Sequence, residues 1–358
     1  MKNKLLTIAF MVMLCGTFII NLFVKDVEVS STERRTLMQF PEVSVESILS
    51  GDWMDDFEDY ANDQFVGRDF MGSVQSFMRN VLLQQKDTNG LFMKDGVIYK
   101  MDYKVNEGSV RHFVEVIESI QSMFSEDNKM YLAIIPDKNY YLEDDDHLRL
   151  DYDKIYAYID ENLDVDTIDL RDCLSSESYY RTDLHYRQEY LDLVVNRIAQ
   201  HYDVEIEGMY QSQSYDKFYG AYAGQWGQKV EPDTLVYLEN DILKEAIVTN
   251  LEKPSITTVY DTATLTGMDS YDVFLSGATA FTVIENPKAT TDKELIIFRD
   301  SFGSSLAPLL VEAYQKITLV DARYMYPSMI TEYMTIDNQD VLFLYSIPVI
   351  NNSQTLRK

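Results

Sequence analysis

The chain has 358 residues, enough for one large domain with an appendage, and 46% of them are hydrophobic. Its 31 Lys and Arg stand against 59 Asp and Glu, a formal net charge of -28. Such an excess of acid argues against nucleic acid, whose binding rests on Lys and Arg meeting phosphates, and against lying flat on anionic lipid.

The first segment has the character of a membrane signal. Met1–Lys4 is basic, and Leu5 to Val24 is an apolar run of about 20 residues, long enough to span a bilayer. Lysines on the leading side favour keeping that end in the cytoplasm. No small-x-small site follows the run, so the leading reading is an uncleaved signal anchor, ahead of a cleaved signal peptide or a core helix. Of the two cysteines, Cys15 lies in the run, which leaves Cys173 without a disulfide partner in the rest of the chain.

Residues 1–25 are therefore assigned to the cytoplasmic tip and anchor, 26–85 to a linker with a helical region, and 86–350 to the main domain. Helical spacing of apolar residues over 45–85 predicts two helices separated at Gly67. Asp95-Gly96 between two short apolar runs predicts a hairpin. An amphipathic helix is expected over 110–124, a buried strand over 130–135, a helix over 152–162 and a strand over 167–170. A further helix is expected over 188–202. Residues 203–255 are poor in pattern and read as a long functional loop or insertion. Strands are expected near 256–260, 273–274 and 281–284. The last third alternates strand 294–299, helix 303–315, strand 317–321, helix 327–334 and strand 340–345. Alternation of this kind implies parallel βαβ units covered by helices on both faces.

Three residues carry the candidate chemistry. Leu295–Arg299 is an apolar strand running into Asp300-Ser301 and a small-residue turn. That arrangement lifts one hydroxyl to the carboxyl end of a buried strand, where open α/β sheets place ligands. The helix start behind it offers free N–H groups to an oxyanion, although Asp300 or Ser301 as a helix cap is the plain structural alternative. Upstream, Asp183 and His185 stand two apart in a polar-aromatic loop. In an extended loop they point the same way, and the carboxylate would fix the imidazole tautomer. Asp-x-His is also a metal-ligand spacing, but no further ligands are evident, so neither a metal nor a cofactor is assigned. His112 and His201 read as structural. His147 ends the acidic run 143–146, most simply a solvated loop, with a calcium site the alternative.

The Ser301 and Asp183/His185 segments resemble the alginate O-acetyltransferases of the AlgX and AlgJ type and the related DHHW family of bacterial surface proteins, which carry an SGNH-hydrolase-like domain. The segments at Asn62–Arg68, Asn89–Gly96, Ile135–Lys138 and Val320–Tyr324 resemble the family as well. Leu184 and Tyr186 depart from its Asp-His-His-Trp form, Arg299 replaces the Gly that usually precedes Asp-Ser in SGNH hydrolases, and no Gly-x-Asn-Asp block is evident. The resemblance implies an SGNH-like parallel α/β sheet behind a transmembrane helix and a short helical region. It also implies catalysis by Ser301, His185 and Asp183, a cell-envelope polysaccharide as acceptor, and acetyl supplied by a membrane-bound O-acyltransferase. Substrate-binding candidates are Tyr186, Arg299, Arg323, Tyr219 and Trp226. The competing functions are a carbohydrate esterase with the same triad, and a non-catalytic polysaccharide-binding or scaffold protein.

Overall fold

The computed structural model describes residues 2–30, 35–83, 85, 87–143 and 146–358. The chain divides into two compact units, one of residues 1–89 and 223–230, the other of 90–222 and 231–358.

The first unit holds helices α1 (Lys2–Phe23), α2 (Val45–Ser50), α3 (Asp52–Asp63) and α4 (Arg68–Phe77). Within α1, Lys4–Phe23 is long and apolar enough to cross a membrane, and none of that window is buried by protein. The expected break at Gly67 is present, and a second break at Gly51 makes three helices of the region instead of two. Phe40, Trp53, Phe57 and Tyr60 form a ring cluster, with Trp53 and Phe57 stacked at 5.1 Å.

The second unit is built on a seven-stranded sheet. In chain order its strands are β1 (Met130–Ile135), β2 (Asp166–Asp169), β3 (Ile247–Asn250), β4 (Phe281–Glu285), β5 (Glu294–Arg299), β6 (Lys316–Val320) and β7 (Asp340–Ser346). The spatial order is β2-β1-β7-β5-β6-β4-β3, with β4 reversed against parallel neighbours. The α/β class with helices on both faces is as expected, with the sheet mixed at one edge. The central strands are buried on both faces, so their sequences run apolar without alternation.

On one face, Leu295, Ile297, Leu342 and Leu344 pack against α7 (Asp192–His201) and α8 (Gly303–Leu310). On the other, Ile296, Phe298, Val341 and Phe343 pack against α5 (Glu107–Gln121) and α6 (Tyr152–Asn162). Each such side chain, once buried, contributes about 1.5–3 kcal/mol.

Residues 203–255 are not a long loop. They contain a hairpin of Gln211–Phe218 with Asp233–Glu239, two short helical turns, and β3. Its first strand is mostly exposed, which is why its residues are polar and carry no strand signal. The hairpin's inner face joins Phe218 and Leu235 to Tyr180, Tyr271, Val273 and Phe274 in a small separate core. The strands expected near 256–260 and 273–274 reduce to one bridge, Tyr260 to Phe274. The helices expected at 303–315 and 327–334 are shorter, ending in or replaced by 3-10 turns. Of the acidic run before His147, Asp144 and Asp145 lie outside the described residues. His147 itself stacks on Phe92 at 3.9 Å.

Candidate active site

Three sheet strands end at one place. Ser301 follows β5, Ser346 closes β7, and Lys138 lies just past β1, all at the carboxyl edge. Asp300 shapes the turn that presents Ser301. Its Oδ1 accepts the Phe302 N–H at 3.0 Å, and its Oδ2 accepts both the Ser346 N–H at 2.8 Å and the Ser346 hydroxyl at 2.6 Å. A Cβ on Gly303 would stand 2.8 Å from the Arg299 Cβ, so the turn can fold back only over glycine. Asp300 is fully buried, while Ser301 is partly exposed.

The second segment is a closed loop. Tyr179 and Tyr186 form an antiparallel bridge, and the Tyr180 N–H donates to the His185 carbonyl at 3.2 Å. Inside it Asp183 curls back, so that its Oδ1 accepts the backbone N–H of His185 at 3.0 Å and lies 2.6 Å from His185 Nδ1. This is an Asx-type turn and not the extended geometry expected from the spacing. The other carboxylate oxygen accepts the Ala221 N–H at 2.6 Å. His185 Nε2 lies 2.8 Å from Ser301 Oγ, so carboxylate, imidazole and hydroxyl form one hydrogen-bonded line.

Two clamps hold that loop. Asp233 accepts from the Arg181 N–H at 3.1 Å and from the N–H and hydroxyl of Thr182 at 2.8 and 2.6 Å. Lys138, 3% exposed, donates to the carbonyls of Asp183, Tyr180 and Arg181. Burial pulls the Lys138 ammonium down to about 7, with the carboxylates of Asp183, Asp233 and Asp137 acting in the opposite sense.

The imidazole is held flat by Tyr271, whose ring stacks on it at 3.9 Å and 9°. The Tyr271 hydroxyl is 2.8 Å from Ser305 Oγ, and burial keeps its pKa well above the usual phenol value. Phe302 flanks the imidazole at 4.8 Å. Tyr271, Lys138, Asp233 and Gly220 were given no role by sequence reasoning. Lys138 stood out only within a family-like segment, and Tyr271 carried no local signal at all.

The substrate-binding candidates fare differently. Tyr186 is fully buried, its hydroxyl donating to the Phe302 carbonyl at 2.7 Å, so it supports the serine turn from beneath. Arg299 is also fully buried, and its Nη1 donates to the Asp300 carbonyl at 3.3 Å. Arg323 grips Asp321 through two bonds of 2.9 and 2.6 Å, the intramolecular alternative to binding an anion. Arg299 was expected to face a ligand, and Arg323 either to bind an anionic acceptor or to pair with Asp321. The pairing holds: the fully buried Asp321 is gripped by the part-exposed Arg323 and lies 3.8 Å from Nη1 of the buried Arg299. Trp226 is 8% exposed and belongs to the first unit. Tyr219 is 48% exposed, one residue before Gly220 in the segment that reaches Asp183. The donors expected at the helix start are also occupied. The N–H of Phe302 meets Asp300 Oδ1, that of Gly303 the Asp300 carbonyl, and that of Ser304 the Ser301 carbonyl. His112 and His201 are structural, bonded to Ser353 Oγ and the Arg197 carbonyl. Among the described residues no cluster of three metal-ligating side chains occurs.

Fold and site together define an α/β protein with an Asp-His-Ser line at the sheet's carboxyl edge. The resemblance to the DHHW family stands: residues 178–320, which include Asp183, His185 and Ser301, match that family's sequence model, described as DHHW protein. A DHHW family protein from Eubacterium siraeum shares the fold with a TM-score of 0.62 at 18% identity, over 76% of this chain and 97% of its own. Bacillus cereus PatB1 does so with a TM-score of 0.58 at 17% identity, over 73% of this chain and 96% of its own. No curated protein matches the chain.

Proposed function

We propose that the protein is an extracytoplasmic O-acetyltransferase, tethered by α1, that works through an acetyl-Ser301 intermediate. The observation that carries this reading is the unbroken line from Asp183 through His185 to Ser301, with contacts of 2.6 and 2.8 Å. A neutral hydroxyl becomes a nucleophile when a base in hydrogen-bond reach is itself oriented by a third group. Ser301 Oγ attacks the acetyl carbonyl while His185 Nε2 takes its proton, and the leaving group departs with that proton. A sugar hydroxyl then attacks the acetyl-serine, His185 removing its proton and returning one to Ser301 Oγ. Asp183 stabilises the imidazolium in both halves.

The polysaccharide acceptor and the membrane-bound O-acyltransferase that supplies acetyl follow from the family resemblance. One structure of Bacillus cereus PatB1 carries a sulfonyl adduct, which makes a sulfonyl fluoride a reasonable second probe here. A scaffold protein would tolerate Ser301 and His185 out of bonding range, whereas they are 2.8 Å apart.

The test is intact mass of the full chain in detergent after exposure to an activated acetyl ester, beside Ser301→Ala. One acetyl adduct in the parent alone is expected, and addition of an oligosaccharide then separates transfer from hydrolysis. If both proteins are folded and neither is acylated between pH 6 and 9, the proposal fails.

A further inference from the structure

We propose that Lys138 is a positioning residue for this site: its buried ammonium holds the Asp183 carbonyl and thereby sets the Asp183 carboxylate against His185. The inference rests on the acyl-transfer reading above only for its kinetic consequence. Lys138 Nζ reaches the carbonyl of Asp183 at 2.8 Å, that of Tyr180 at 3.1 Å and that of Arg181 at 3.4 Å. The same ammonium lies 4.9 Å from the centre of the Tyr222 ring and 5.4 Å from that of Tyr99. These are the contacts that compensate the desolvation of a cation that is 3% exposed.

Asp233 acts on the same loop with the opposite sign. It accepts the N–H groups of Arg181 and Thr182, while Lys138 donates to the carbonyls of residues 180, 181 and 183. The peptides of a loop with no repeating structure are thus oriented by one anion and one cation. The loop closes through the Tyr179–Tyr186 bridge, so a shift at Asp183 has no slack to absorb it. Lys138 is also tied to the sheet, entering from β1 through Pro136 and Asp137. The ammonium therefore couples the Asp183 loop to the same rigid edge that carries Ser301. Burial lowers its pKa to about 7, the cost expected of a cation kept for geometry.

The experiment compares full-length parent, Lys138→Met and Lys138→Arg by two readouts. The first is the rate of Ser301 acylation by 4-nitrophenyl acetate at saturating and limiting reagent. The second is the low-field proton resonance of His185 Nδ1–H, which needs no substrate. Lys138→Met is expected to lose that resonance and to acylate about 100-fold more slowly at saturation, the effect of roughly 1 Å of misplacement. The KM should stay within about twofold, because orientation and not binding is lost. Lys138→Arg, which keeps charge and donors, should recover about tenfold of the loss. A folded Lys138→Met variant that keeps the resonance overturns the proposal, whatever its rate. If the Met variant does not fold, Lys138→Gln, which retains an N–H donor, is judged by the same resonance. A parent that shows the resonance without acylating refutes the acyl-transfer reading alone, and Lys138 is then decided by the resonance.

Discussion

Replacing Asp183 by Asn tests the site at its most constrained point. The carboxylate accepts from His185 N–H and Nδ1–H on one oxygen, and from Ala221 N–H on the other. An amide has one acceptor end, so it cannot serve both sides. With its oxygen toward His185, the NH2 group opposes the Ala221 N–H. A charge-assisted backbone bond is then lost at a buried site, costing about 1.5–3 kcal/mol. With its oxygen toward Ala221, the NH2 group faces Nδ1 and favours the tautomer with the proton on Nε2. That proton points at Ser301 Oγ, 2.8 Å away, and the imidazole is no longer a base. The expected loss in Ser301 acylation is about 10⁴-fold, the scale seen when a triad aspartate is exchanged for its amide. Stopped-time intact mass with an activated acetyl ester gives the rate, and thermal unfolding gives the stability. A folded Asp183→Asn protein that acylates within about threefold of the parent would refute the assignment of a base oriented by Asp183.

Substitutions at three other positions supply further tests. Tyr271→Leu removes the ring stacked on His185 and should slow acylation about tenfold, whereas Tyr271→Phe keeps the stack, loses only the Ser305 bond and should cost about 1 kcal/mol in unfolding. Gly220→Ala places a Cβ 2.3 Å from both Asp183 Cβ and the Thr182 carbonyl oxygen, where no side-chain rotation relieves the clash. It should destabilise by about 3 kcal/mol in denaturant melts, and normal stability would show that the close approach is not real. Asp137 is held at about 6, raised chiefly by burial, with the Tyr152 hydroxyl donating to it at 2.5 Å. Because the folded value is above the unfolded 3.8, the contribution is full below pH 3.8 and falls away as pH rises to about 6. Unfolding free energies of the parent and Asp137→Asn, compared from pH 4 to 7, should diverge with that sign. Parallel curves would refute it.

Much of the sheet was legible because its strands are covered on both faces. Leu295–Phe298 and Val341–Tyr345 are uninterrupted apolar runs, and such runs have few places to go but a two-sided core. The hydroxyl at the end of β5 was legible for the same reason, since a buried strand that stops at Asp-Ser must present something at the sheet edge. The hairpin at 211–239 was not legible. Gln211–Ser214 lies toward solvent, and its pairing is fixed by Tyr215, Phe218 and Leu235 meeting a distant loop. Tyr271 was beyond sequence reasoning, because its stack depends on where a short turn capped by Asp269 comes to rest. Arg299, unlike Arg323, was misjudged by a rule that holds for most surfaces. Charged residues are rarely buried unless paired, and here the pairing partner, Asp321, is itself fully buried.

The acidity of the chain and the acids of the site answer to different physics. A net charge of -28 is carried mostly by exposed side chains and bears on solubility. Asp183, Asp233 and Asp300 are buried, and each accepts at least one backbone N–H from a segment that has no helix or strand to satisfy it. Asp300 ties the serine turn to β7, Asp233 ties the histidine loop to the long hairpin, and Asp183 joins that loop to Ala221. Irregular backbone can be buried only if its polar groups are met, and a short carboxylate meets two or three at once. A motif of Asp-x-His and Asp-Ser is therefore not sufficient to build the site. Its geometry also depends on Asp233, on the cation at Lys138 and on the missing Cβ of Gly220, so a chain with the motif but without these three would hold the same residue types in the wrong places.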